Sequence, residues 1–169
     1  MNRFAMLAAT SLVVAAPLAA APTTKAPDFV KQAGSGDLYE KTSSQMVLKT
    51  AKDAKIRSFA QMMIDDHSKS TAQVAAAAKS DGVVAGPPKL LPPQAKMIAD
   101  LKAAKGADME KVYVKQQMMA HEQALALHTT YAQGGDKPAL KQAATGIVPV
   151  VQHHLDELRG MQGATTTGR

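Results

Sequence analysis

Residues 57–74 read RSFAQMMIDDHSKSTAQV, and they decide the fold. With Ile56 just ahead, Phe59, Met63, His67, Thr71 and Val74 recur at the spacing that lines up on one side of an α-helix. The apolar stripe is broken at His67, which follows Asp65 and Asp66 and lies one turn after Met63. A histidine inside a core seam needs a partner, because an unpaired buried polar group is costly. Three further amphipathic segments supply one ionisable residue each on an apolar stripe: Glu40, His121 and His154.

Outward from that stretch, the sequence predicts long helices over residues 27–51, 53–80, 107–133 and 137–161. Pro27 and Asp28 suit a first turn, Asp53 an N-cap, and Gly82 a stop. Gly34-Ser35-Gly36 weakens the first helix, since a glycine in a helix interior costs about 1 kcal/mol, but the helix is expected to run through them. Small residues there also permit close approach of another element. Asp136 and Pro138 are expected to open the last helix, and Pro149 to kink it about one turn before His154.

Between the second and third long helices the pattern stops. The stretch AGPPKLLPP at residues 85–93 cannot be helix interior, and a short helix is expected at residues 94–104. This connection is about 25 residues, where bundle connections usually run about 2–8, so it can run the height of a bundle. The expected fold is all-α: a ferritin-like four-helix bundle with a long crossover carrying a short extra helix. It should occupy residues 27–162, between a lead at 21–26 and a polar tail at 163–169 that are both expected to be disordered.

At the N-terminus, Arg3 followed by the apolar run 4–16 and small residues at Ala19 and Ala20 reads as an export signal over residues 1–20, cut near Ala20. The run is shorter than the ~20 residues that span a bilayer, so no transmembrane segment is expected in the mature protein, which should be periplasmic or secreted. There is no cysteine, which excludes lipid attachment through one, disulfides, iron–sulfur clusters and thioether-linked haem. The formal charge is +6, but the lysines are spread along the chain without interleaved aromatics, so no nucleic-acid partner is expected. The sequence points to no protein partner.

Phe29-Val30, Glu40, the run Ile56-x-x-Phe59-Ala60-x-x-Met63-x-x-Asp66-His67, Tyr113 followed by His121-Glu122, and His154-Leu155 together resemble the exported bacterial family catalogued as domain of unknown function 4142. The resemblance covers residues 27–161. It implies a ferritin-like fold and a cell-envelope location, and it brings no activity with it.

Chemistry must therefore be read from the residues. Ferritin-like di-iron sites use Glu-x-x-His on two helices and a Glu on each of the others. Here the positions three before His67, His121 and His154 are Ile64, Met118 and Val151, so a di-iron centre is not expected. Glu40, His67, His121 and His154 could instead hold one zinc, copper or iron ion, with Asp66, Met63 and Met118 around them. Counting 1.5 Å per residue puts Glu40, His67 and His121 about 18–21 Å from one bundle end and His154 about 7 Å higher. The competing expectation is a metal-free hydrogen-bond network that fixes helix register, as in a structural or stress-associated interaction protein of the cell envelope. His128 is expected at a satellite contact and His153 in water. No catalytic residue is assigned, since no nucleophile is paired with a base in a known motif.

Overall fold

The computed structural model describes residues 24–166; the expected signal segment lies outside them. Five helices follow in order: α1 (Ala26–Leu48), α2 (Ala54–Ser80), α3 (Pro92–Ala103), α4 (Gly106–Gly134) and α5 (Pro138–Thr166). The fold is an all-α, ferritin-like four-helix bundle in which α1 packs on α2 and α4, and α5 on α2 and α4. The crossover carries α3, which lies against α1 and α4.

Hydrogen bonds between helix ends fix the directions. The Ala26 N–H donates to Asp136 Oδ1 (3.0 Å), joining the start of α1 to the α4–α5 turn. At the same end Asp81, just past α2, accepts from Ala139 N–H (3.2 Å) and Leu140 N–H (2.8 Å). At the opposite end Glu110, near the start of α4, accepts from Lys52 N–H at 2.6 Å. The α2–α4 connection therefore runs the full height of the bundle. The donors opening α5 go to Asp81, not to the expected cap Asp136, which also accepts from the Tyr131 hydroxyl at 3.1 Å. Asp53 does cap α2, accepting from Lys55 N–H and Ile56 N–H.

One expectation holds and one changes. Helix α1 runs unbroken through residues 34–36, because these small residues seat the crossover: a Cβ on Gly34 would lie 3.3 Å from Pro88 Cγ, and Leu91 N–H donates to Ser35 Oγ at 3.0 Å. Helix α5 continues to Thr166, past the expected end at Met161 and into the expected tail, and it includes Pro149. Pro149 is exposed, as is Thr145, whose carbonyl has no helical N–H to accept from because proline supplies none. Gly36 differs from Gly34 in having open space where a Cβ would go. Gly36→Ala should therefore stabilise the protein by up to about 1 kcal/mol, seen as a raised denaturant midpoint at unchanged slope.

The apolar core forms two clusters. One, with Phe29, Val74, Tyr131 and Leu140, fills the end where α1 begins. The other, with Val47, Phe59, Met63, Tyr113 and Leu158, fills the end where α1 finishes. Between them lies a layer of buried polar side chains: Asp37, Glu40, His67, Gln117, His121 and His154. No described helix is long and apolar enough to cross a membrane.

Candidate metal centre

The polar layer draws side chains from all four bundle helices. Asp37 and Glu40 stand three apart on the inner face of α1, while His67 comes from α2, His121 from α4 and His154 from α5. The structure brings the four expected residues together. The ring centroids of His67, His121 and His154 lie 5.2–5.4 Å from one another, and ligand nitrogens of the three lie within 4.8 Å. The height offset expected for His154 closes, with His121 Nε2 at 3.2 Å from His154 Nδ1. Helical side chains lean toward their own N-terminus, so on the antiparallel α4 and α5 these two rings lean toward each other.

Each ring has its other nitrogen braced. His67 Nδ1 lies 2.9 Å from Asp37 Oδ1 and 2.9 Å from Glu40 Oε2. His121 Nδ1 lies 2.9 Å from the Gln117 carbonyl and 3.4 Å from Glu40 Oε1, and His154 Nε2 lies 3.3 Å from Asp66 Oδ2. Glu40, expected as a ligand beside the histidines, thus meets the Nδ1 atoms of His67 and His121. Asp66 touches His154 and is also held by Lys69 at 2.8 Å. Met63 and Met118 pack in the apolar cluster with Phe59, whose ring stands edge-on to His154 at 6.3 Å and tilted against His121 at 6.4 Å. His153 is exposed, whereas His128 is buried edge-on to Phe29 at 5.4 Å.

Electrostatics separate the histidines. Burial alone would lower the His67 pKa, but the Glu40 and Asp37 carboxylates push it up to about 10. Burial would raise that of Glu40, and the neighbouring His67, then His121, bring it down to about 2. Burial lowers the pKa of His121, and burial with the nearby His121 and His67 takes His154 down to about 4. At neutral pH the layer therefore holds an imidazolium at His67 and neutral rings at His121 and His154. Among the described residues, three of its buried atoms lack a hydrogen-bond partner: His67 Nε2, Glu40 Oε1 and Gln117 Oε1.

Asp37 is the residue that the sequence reading missed. It is buried, and it accepts from Thr71 Oγ1 at 2.9 Å as well as facing His67. Its signal was present: Asp37 and Glu40 form an i, i+3 acidic pair on one helix face. Gln117 was also missed, although it lies one turn before His121; its side-chain amide donates to Ser43 Oγ at 2.8 Å.

A family model described as domain of unknown function, DUF4142, matches residues 12–161. The chain belongs to this family. No curated protein matches the DUF4142 chain. Its fold is similar to CopM in the Cu(II)-bound form, with 12% identity, TM-score 0.68, and coverage of 83% of this chain and 97% of that one. It is similar to a DUF305 fragment from Deinococcus radiodurans, with 18% identity, TM-score 0.70, and coverage of 82% and 95%. CopM in the Ag-bound form matches with 10% identity, TM-score 0.67, and coverage of 84% and 98%. At these identities the likeness is one of fold.

Proposed function

We propose that the protein binds one divalent transition-metal ion in the bundle core through His67, His121 and His154. The observation that carries this reading is the buried, partnerless His67 Nε2 beside two neutral imidazoles whose ligand atoms lie within 4.8 Å. Glu40, Asp37 and Asp66 sit on other ring nitrogens, as carboxylates do behind metal-bound histidines, where they fix orientation and raise basicity. Glu40 is accordingly assigned to bracing in place of the direct ligation first expected. Three imidazoles suit zinc, copper or iron(II). Charge favours a 2+ ion: replacing the His67 proton with it balances the Asp37 and Glu40 carboxylates, whereas a 1+ ion leaves the layer as negative as before. Among the described residues the two fully buried carboxylates both come from α1, a poorer supply than the four Glu of a di-iron site. The fold neighbour's copper-bound form supports a bundle of this shape as a metal host. The apolar N-terminal run supports export to the envelope.

A second reading rests on the completed pairing of His67 Nδ1 with two carboxylates, which could serve register alone in a metal-free structural or interaction protein. Isothermal titration of untagged protein with zinc and copper(II) separates the two. The metal reading expects one saturable site, weakened at least about tenfold in His121→Ala and in His154→Ala. These rings are neutral, so their removal leaves no unpaired charge. An absence of saturable binding, with melting temperatures lowered equally with and without metal, would leave only the structural reading.

A further inference from the structure

Two depressions reach His67. One, of about 290 Å³ beneath the crossover, is lined by Asp37, Glu40, His67 and His128. The other, of about 210 Å³ between α2 and α5, is lined by His67, His154, Ser70, Lys69, Gln73 and Gly146 among others. Only the second contains two of the three clustered histidines. It also contains Ser70, 7% exposed, whose hydroxyl has no partner among the described residues.

Resting on the metal reading above, we infer that the α2–α5 cleft leads to an open coordination position, where a small exogenous monoanion binds the metal and accepts a hydrogen bond from Ser70. Three protein ligands leave a tetrahedral ion one position to fill. Ser70 lies one turn from His67, so its hydroxyl is on the ligand-bearing face of α2. The cleft has room for a few water-sized groups, at about 30 Å³ each, and not for a drug-sized molecule. At its rim Lys69 is largely exposed and offers a positive charge, shared with Asp66. Across the cleft, Gly146 on α5 has no atom within 4 Å of where a Cβ would lie, so a larger side chain would extend into open space.

Azide is the probe, and its charge-transfer absorption on copper(II)-loaded protein is the readout. Copper stoichiometry is measured first by titration. The wild type should give a saturable azide band. Ser70→Ala should weaken azide by about tenfold through loss of one hydrogen bond to an anion, at unchanged copper stoichiometry. Gly146→Leu, which fills the mouth with an apolar side chain and suits a helix better than glycine, should abolish or greatly slow the band with copper still bound. Equal azide binding in all three proteins overturns the inference, as does a wild type that holds copper but takes no azide. Failure to bind copper removes the metal reading itself, and the inference with it.

Discussion

His67→Ala is expected to destabilise the metal-free protein by about 3–5 kcal/mol, the range for stripping one partner from a buried ion pair. The substitution leaves Asp37 and Glu40, 4% and 1% exposed, without the imidazolium that now lies 2.9 Å from each. Two adjacent buried carboxylates cannot both stay ionised cheaply, so one should take up a proton and its pKa should rise. Two comparisons isolate this cause from simple loss of volume. Adding Glu40→Gln to His67→Ala should recover part of the loss, because only one buried charge then remains. Glu40→Gln alone should cost less than His67→Ala, since it leaves His67 paired with Asp37. Chemical denaturation at pH 7 checks the set, and a double variant no more stable than His67→Ala would contradict the charge argument.

Metal affinity should climb with pH by about tenfold per unit from pH 7 to 9, a span of about a hundredfold. The sign follows from the proton on His67. Its folded-state pKa is raised to about 10, so binding at Nε2 must release that proton throughout this range. His121 and His154 are lowered and add no further proton. The metal-free fold moves the other way. A raised histidine pKa contributes stability that is fully present below the unfolded value of 6.5 and is lost as pH rises through about 10. Glu40, lowered to about 2, contributes stability present above its unfolded value of 4.5 and lost as pH falls through about 2. The melting-temperature gain from metal should thus widen on the alkaline side. Competition titrations against a chelator of known protonation, corrected for it, give the slope. An affinity flat between pH 7 and 9 would show that no proton leaves His67.

The helices were legible because their inner faces are continuous stripes and their ends carry strong signals. Asp53 before α2 and Pro27 opening α1 act within a few residues of chain. Asp81 was less so: its acceptor role toward α5 spans 58 and 59 residues, and local sequence cannot reveal which helix end a carboxylate will meet. In the site, His67, His121, His154 and Glu40 stood out because each interrupts an apolar stripe. Asp37 did not, since it lies off the stripe that carries Glu40, and its partners, His67 and Thr71, come from α2. The expected height of His154 failed because straight-rod counting ignores the lean of side chains on antiparallel helices. Met63 and Met118 stand within a turn of His67 and His121 in sequence and pack in the apolar cluster that borders the site.

The polar layer also decides how the molecule can loosen. Each bundle helix contributes at least one of its side chains, so drawing any of the four away from the middle strips a charged or hydrogen-bonded partner from the others. Partial opening there is nearly as unfavourable as complete opening, and the mid-sections of α1, α2, α4 and α5 behave as a single cooperative unit. Helix α3 has no side chain in that layer and buries only Leu101. Lifting α3 from α1 and α4 should therefore cost less than opening the polar layer, and its amides should exchange with solvent before those at the centre of the bundle.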